Sequence, residues 1–169
     1  MKKLSIRSIL TMVGCLLALI AIFLPLGSGF RTVSSNSTTV WGTGYGWIFG
    51  GQVLVSTFLG NATTKALGVL TAAWVLLLLG LIIAIVIVVM SFLGKEIKMG
   101  SFTLGQILAC AAGLLLVVGG ILFFCGKGGF ADYIGADKAD CKNSVSLIFT
   151  GILTILAGGI IVTPIFLKK

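Results

Sequence analysis

Few side chains in this sequence could do chemistry, and their types and spacing offer no reaction centre. Histidine, the commonest general base and the commonest metal ligand, is absent. The carboxylates are Glu96, Asp132, Asp137 and Asp140, and none lies inside a long apolar run. The three aspartates are irregularly spaced and do not match a calcium-binding loop. With Lys138 and Lys142 they read as a solvated mixed-charge segment. Cys15, Cys110, Cys125 and Cys141 show neither CxxC nor Cys/His spacing, so they do not suggest a metal centre. No catalytic residue, metal site or cofactor is expected.

The cysteines have a second possible chemistry. Cys125 closes an apolar run and Cys141 follows it, with fifteen residues between them. On the outer side of a membrane both would meet an oxidising compartment, and a disulfide is expected. Closing a loop of about 15 residues would stabilise by about 3 kcal/mol in the chain-entropy account. Cys15 and Cys110 lie at similar depths in their own apolar runs and read as small buried hydrophobes.

Recognition chemistry is concentrated in one stretch. Residues 41–50 read Trp-Gly-Thr-Gly-Tyr-Gly-Trp-Ile-Phe-Gly. In an extended chain, alternation would put Trp41, Thr43, Tyr45, Trp47 and Phe49 on one face and the glycines on the other. Residues 52–59 would then form a second strand after Gly50-Gly51, giving a hairpin, with residues 31–35 or 38–40 as an added edge. Trp41, Tyr45, Trp47 and Phe49 are the candidate partner-binding residues, an aromatic platform for a protein or apolar ligand. The alternative is a cap settled on the elements beneath, with its aromatics at a lipid interface.

Those elements are set by composition. Of 169 residues, 58% are hydrophobic and only 9% charged, against about 25% charged in a typical soluble domain. Four runs, 8–26, 66–93, 103–125 and 146–167, contain no Asp, Glu, Lys or Arg. Each reaches the roughly 20 residues needed to cross a hydrocarbon core. In lipid an unmet backbone hydrogen bond costs several kcal/mol, so each run is expected to be helical. The expectation is an all-α membrane protein, one domain over residues 1–169. It is a four-transmembrane-helix bundle with outer loops at 27–65 and 126–145 and a small β-hairpin in the first of them. The net charge of +8 does not indicate nucleic-acid binding, because the basic residues flank apolar runs rather than line a groove.

Four spans put both termini on one side. That side carries Lys2, Lys3, Arg7, Lys95, Lys98, Lys168 and Lys169 against Glu96 alone. The other carries Arg31, Lys65, Lys127, Lys138 and Lys142 with the three aspartates. Basic residues concentrated in short segments mark the cytoplasmic face, so cytoplasmic termini are expected. The compact, lysine-rich chain reads as a multi-pass protein of a bacterial plasma membrane.

Helices in lipid associate through close backbone approach at small residues. Rows at spacing four supply candidates: Gly14 and Ala18, Gly68 and Ala72, Gly80 and Ala84, Gly105, Ala109 and Gly113, and Thr150, Thr154 and Gly158. Gln106 is the only strongly polar side chain within the spans and the candidate for a polar path. Charge-moving transporters carry ionisable groups in the membrane, and these runs hold none.

Four spans, a long first outer loop with tryptophans and a short second loop resemble the layout of claudin-like tetraspan proteins. That family's first loop carries Gly-Leu-Trp followed by two cysteines. Here Gly46 precedes Trp47 and the loop has no cysteine, so no family is assigned. The expected function is non-enzymatic: an accessory, assembly or scaffold subunit whose partners are the bilayer and another membrane protein or a second copy. An oligomeric channel or small-solute transporter is the alternative.

Overall fold

The computed structural model describes residues 6–34, 37–54, 61–94, 97–99 and 102–166. Among them are four helices long and apolar enough to cross a membrane. They are α1 (Ile6–Phe23), α3 (Gly68–Leu93), α4 (Leu104–Ile134) and α5 (Val145–Phe166). A 3-10 turn, Leu24–Leu26, prolongs α1 through Pro25, which sits at a first-turn position where its missing N–H costs nothing. Between α1 and α3 lie strands β1 (Ser28–Ser34) and β2 (Ser37–Thr43), a short helix α2 (Gly44–Phe49), and strands β3 (Gly51–Leu54) and β4 (Asn61–Thr64). A two-residue pair, β5 (Lys98–Met99) and β6 (Phe102–Thr103), joins α3 to α4, and β7 (Cys141–Asn143) precedes α5. Of the basic residues that set the expected orientation, Lys2, Lys3, Lys95, Lys168 and Lys169 lie outside the described residues.

The long helices form a ring in which α3 packs on α4, α4 on α5 and α5 on α1, with a thinner α1–α3 seam. Glycine sets the closest approach. Added Cβ atoms at Gly113 and Gly158 would stand 3.0 and 2.8 Å from each other's carbonyl oxygens. At Gly120 and Gly151 the corresponding distances are 2.8 and 3.0 Å. Each helix therefore offers two glycines seven residues apart, and antiparallel packing brings them into register. A seven-residue repeat is the signature of left-handed helix pairing. On the other flank of α4, Gly80 faces Leu116 and the Ala112 carbonyl, while Gly119 lies against Ala73 and Leu77.

Gly14, Ala18, Gly80, Ala84, Ala109, Gly113 and Gly158 are buried. Gly105 is not a packing residue: a side chain there would meet nothing within 4 Å. The same holds for Gly68, and Ala72 is exposed. Both glycines sit in the first turn of their helices. Spacing four marks a helix face but does not say which stretch of it meets a neighbour. On α4 and α5 spacing seven is the better guide.

The third apolar run does not stop at Cys125. Helix α4 continues through Gly126-Lys127-Gly128-Gly129 to Ile134 and ends at Gly135 in the left-handed conformation. Of the glycines that read as a helix end, Gly126 marks a close passage, since a Cβ there would lie 2.7 Å from Leu70 and 3.2 Å from Phe30, whereas one at Gly128 would meet nothing within 4 Å. Burial of Phe130 and Ala131 beyond it carries the helix on.

The packing predicts unequal responses to small substitutions. Gly120→Leu and Gly151→Leu should each cost about 1–3 kcal/mol through overpacking, whereas Gly105→Ala should change stability by no more than about 1 kcal/mol. Unfolding titrations in detergent measure this, and equal sensitivity at the three sites would contradict the assigned contacts.

Candidate functional site

The sequence assigns recognition to residues 41–50, and the structure divides that stretch between two elements. Trp41 to Thr43 end strand β2, whose partner is β1, in the register Phe30↔Trp41 and Arg31↔Val40. The hairpin is therefore formed by the segments expected only as an edge. Residues 44–49 are helical instead of extended. Strand β3 pairs with β4, in the register Gly51↔Thr64. Of the expected partner segment 52–59, residues 55–59 lie outside the described residues.

Helix α2 forms because both of its ends are satisfied. The Thr43 hydroxyl accepts from Gly46 N–H at 3.2 Å, an N-cap bond. At the other end, three carbonyls left without partners by so short a helix are met by the entry to α3. Thr64 Oγ1 donates to Gly46 O at 2.9 Å, Leu67 N to Trp47 O at 2.8 Å, and Thr71 Oγ1 to Ile48 O at 2.5 Å. The Tyr45 hydroxyl donates to the Ile22 carbonyl of α1. Helix α2 thus bridges α1 and α3 at one end of their seam. At the far end, Ser8 and Ser91 hydroxyls hydrogen-bond at 2.6 Å.

A helical α2 redistributes the aromatics. Tyr45 and Phe49, four residues apart, share a face and stack at 5.7 Å, with the Trp74 ring set edgewise to Phe49 at 4.8 Å. Trp47 points the other way and is fully buried. Its ring stands edge-on to Phe30 at 5.6 Å, Phe130 at 5.1 Å and Tyr133 at 5.5 Å. Phe30 and Phe130 stack at 4.5 Å. The Trp47 indole N–H donates to Trp41 O at 2.7 Å, and that of Trp41 to Thr32 Oγ1 at 3.1 Å. Gly29 is part of this arrangement, because a Cβ there would be 2.5 Å from the Trp47 ring.

Trp41, Tyr45, Trp47 and Phe49 therefore do not form one platform. Trp47 belongs to the core, Trp41 and Tyr45 are half-buried, and Phe49, 53% exposed, is the member that offers surface. Neighbouring Trp74 has a buried indole N–H without a hydrogen-bond partner. Phe30, Phe130 and Tyr133 complete the cluster but lie outside the aromatic stretch. The clue to Phe130 in the sequence is its position four residues beyond Gly126.

Gln106 is tied into the start of its own helix. Its Oε1 accepts from Thr103 N–H at 2.9 Å while Thr103 Oγ1 accepts from Gln106 N–H at 3.3 Å, a reciprocal capping box at the start of α4. Thr150 and Thr154 donate within their own helix, to Ser146 O at 2.8 Å and Thr150 O at 2.6 Å.

The expected disulfide is absent. Cys125 and Cys141 are both free thiols. Cys125 is exposed on a helix that runs nine residues further, whereas Cys141 returns on β7 opposite Thr32 and is fully buried. Cys110 also faces outward, in contrast to its expected burial. Burial pushes the Cys141 thiol above its ordinary pKa; Lys127 opposes this, and Asp140 and Asp137 add to it.

A raised pKa means less thiolate at pH 8 and slower alkylation. In native protein Cys141 should therefore react much more slowly than an unhindered thiol. After denaturation without reductant, four adducts should form, and intact mass spectrometry finding only two would restore the disulfide. No family model matches this chain, and no similar curated protein was found.

Proposed function

We propose that the chain is a non-enzymatic, multi-pass membrane protein acting through contacts, as an accessory, assembly or scaffold subunit. The observation that carries this reading is the division of labour among the polar and aromatic groups. Gln106, Thr150 and Thr154 are engaged within their own helices, Trp47 is engaged in the core, and Phe49 stands exposed beside Tyr45 and Trp74. An exposed aromatic flanked by aromatics is the kind of anchor on which binding energy concentrates. Its place near the outer end of the α1–α3 seam suits a helix of another membrane protein or of a second copy. In the channel alternative Gln106 would have to line a path while its Oε1 is held in the capping box.

In this reading the cap is extracytoplasmic and both termini are cytoplasmic, in the cell membrane of a bacterium. The support is the charge count in the sequence, with seven basic residues in the terminal and 94–101 segments against five in the two longer loops. A periplasm-dependent reporter fused to the C-terminus should stay silent; a strong signal would reverse the orientation.

The docking assignment separates two aromatic substitutions. Phe49→Ala should leave thermal stability nearly unchanged yet weaken partner or self-association by about 2 kcal/mol, roughly thirty-fold. Trp47→Ala should instead cost about 3–5 kcal/mol of stability. A photo-crosslinking residue at position 49 in cells, followed by purification in mild detergent, provides the readout. A monomer with no crosslinked product would sink the proposal.

A further inference from the structure

The α1–α5 pair carries an apolar groove at the cap end. About 660 Å³ in volume, it is lined by Ile20, Phe23 and Leu24 from one side and Val145, Ser146 and Phe149 from the other, with Gly27 and Ser28 at its head. Phe23, Val145 and Phe149 are each more than half exposed, so the groove opens away from the bundle. Two hydroxyls near its head are already engaged. Ser146 Oγ donates to Leu24 O at 2.5 Å and Ser144 Oγ to Ser28 O. What remains is hydrocarbon on two helices long and apolar enough to lie in a membrane.

Strands β1 and β7 rise from the same two helices. They pair antiparallel in the register Phe30↔Asn143, Arg31↔Lys142 and Thr32↔Cys141. Phe30 and Cys141 are fully buried in the cap, so alternation turns Arg31 and Lys142 to the opposite face. Phe30 on the first face stacks on Phe130 of α4, so the two cations lie on the sheet face turned from that ring. Arg31 lies three residues beyond Ser28, about 10 Å further along the strand.

Two cations directly opposite one another across a strand pair repel. Among the described residues neither forms an ion pair, and the Arg31 Nε is buried without a hydrogen-bond partner. Asp140, just before β7 and two residues from Lys142, bonds neither cation. An anion between Arg31 and Lys142 would relieve the repulsion and supply the missing acceptor.

We propose that the groove and the Arg31–Lys142 pair together bind one anionic phospholipid of the cap-side leaflet, an acyl chain lying along the groove and the phosphate meeting the two cations. Charge complementarity at the head and hydrocarbon below select this occupant over a free phosphate or an apolar peptide. The site rests on the membrane reading of the helices and is independent of docking at Phe49.

The test uses the full chain in phosphatidylcholine vesicles with trace spin-labelled phosphatidylglycerol or spin-labelled phosphatidylcholine. Electron spin resonance should show the anionic label motionally restricted with about fivefold or greater preference, the scale expected for one surface cation or more. Arg31→Gln with Lys142→Gln should bring the preference near one while leaving the phosphatidylcholine signal unchanged. Lys142→Gln alone alters only an exposed side chain and should lower the preference part of the way. Ile20→Trp, which crowds the groove, should reduce restriction of the anionic label although both cations remain. No preference in the native chain, or a preference insensitive to all three variants, overturns the site. Displacement of the label by millimolar glycerol phosphate also overturns it, because the anion would then bind without its chain.

Discussion

The cap depends on one interaction, the packing of Trp47 and Phe30 against Phe130 where α4 projects beyond the span expected from its apolar run. Three rings from three distant parts of the chain exclude water there. Edge-to-face and stacked pairs contribute about 0.5–1.5 kcal/mol each beyond the area they bury. Without Phe130, Phe30 and Trp47 would lose the ring on which both pack. Without Gly126 the helix carrying Phe130 could not pass beneath Phe30. A glycine-rich stretch that would weaken an isolated helix is thus retained by what it allows to pack around it.

The orientation of the other cap residues follows from these rings. Trp47 turned inward places Tyr45 and Phe49 on the opposite side of α2, where they stack beside Trp74. Phe30 turned inward places Arg31 outward, and the register with β7 then sets Lys142 beside it. The same register sends Cys141 into the core, which removes it from Cys125. The exposure of Phe49, the pairing of Arg31 with Lys142 and the separation of two thiols therefore share one physical cause. The bundle beneath is a separate matter, held by backbone contact at Gly113 with Gly158 and Gly120 with Gly151.

The helical framework was legible because lipid imposes a simple rule: long uncharged runs become helices. The four runs are visible in the sequence, and their boundaries agree to within a few residues except at the end of α4. That end was missed because Gly126 and Gly128–Gly129 look like a local stop, while the signal to continue is tertiary. Residues 44–49 were misread for a related reason. Alternating glycines and aromatics fit a strand as well as a helix, and the bonds that favour helix come from Thr64, Leu67 and Thr71, remote in sequence. Gln106 was singled out as a polar group in an apolar run. Thr103 three residues earlier, the partner of a capping box, was the overlooked clue. Arg31 opposite Lys142 is not readable in the sequence, because strand register between residues 28–34 and 141–143 has no local signature.

The seating of the aromatic cap on the bundle is tested most directly by the environment of Trp47. In a chain carrying Trp41→Phe and Trp74→Phe, Trp47 is the sole tryptophan, and its fluorescence can be recorded in detergent with acrylamide as quencher. A fully buried ring predicts blue-shifted emission and quenching close to that of an inaccessible indole. Red-shifted emission with efficient quenching would mean that the segment between α1 and α3 is not folded onto α4, contradicting the account of the cap.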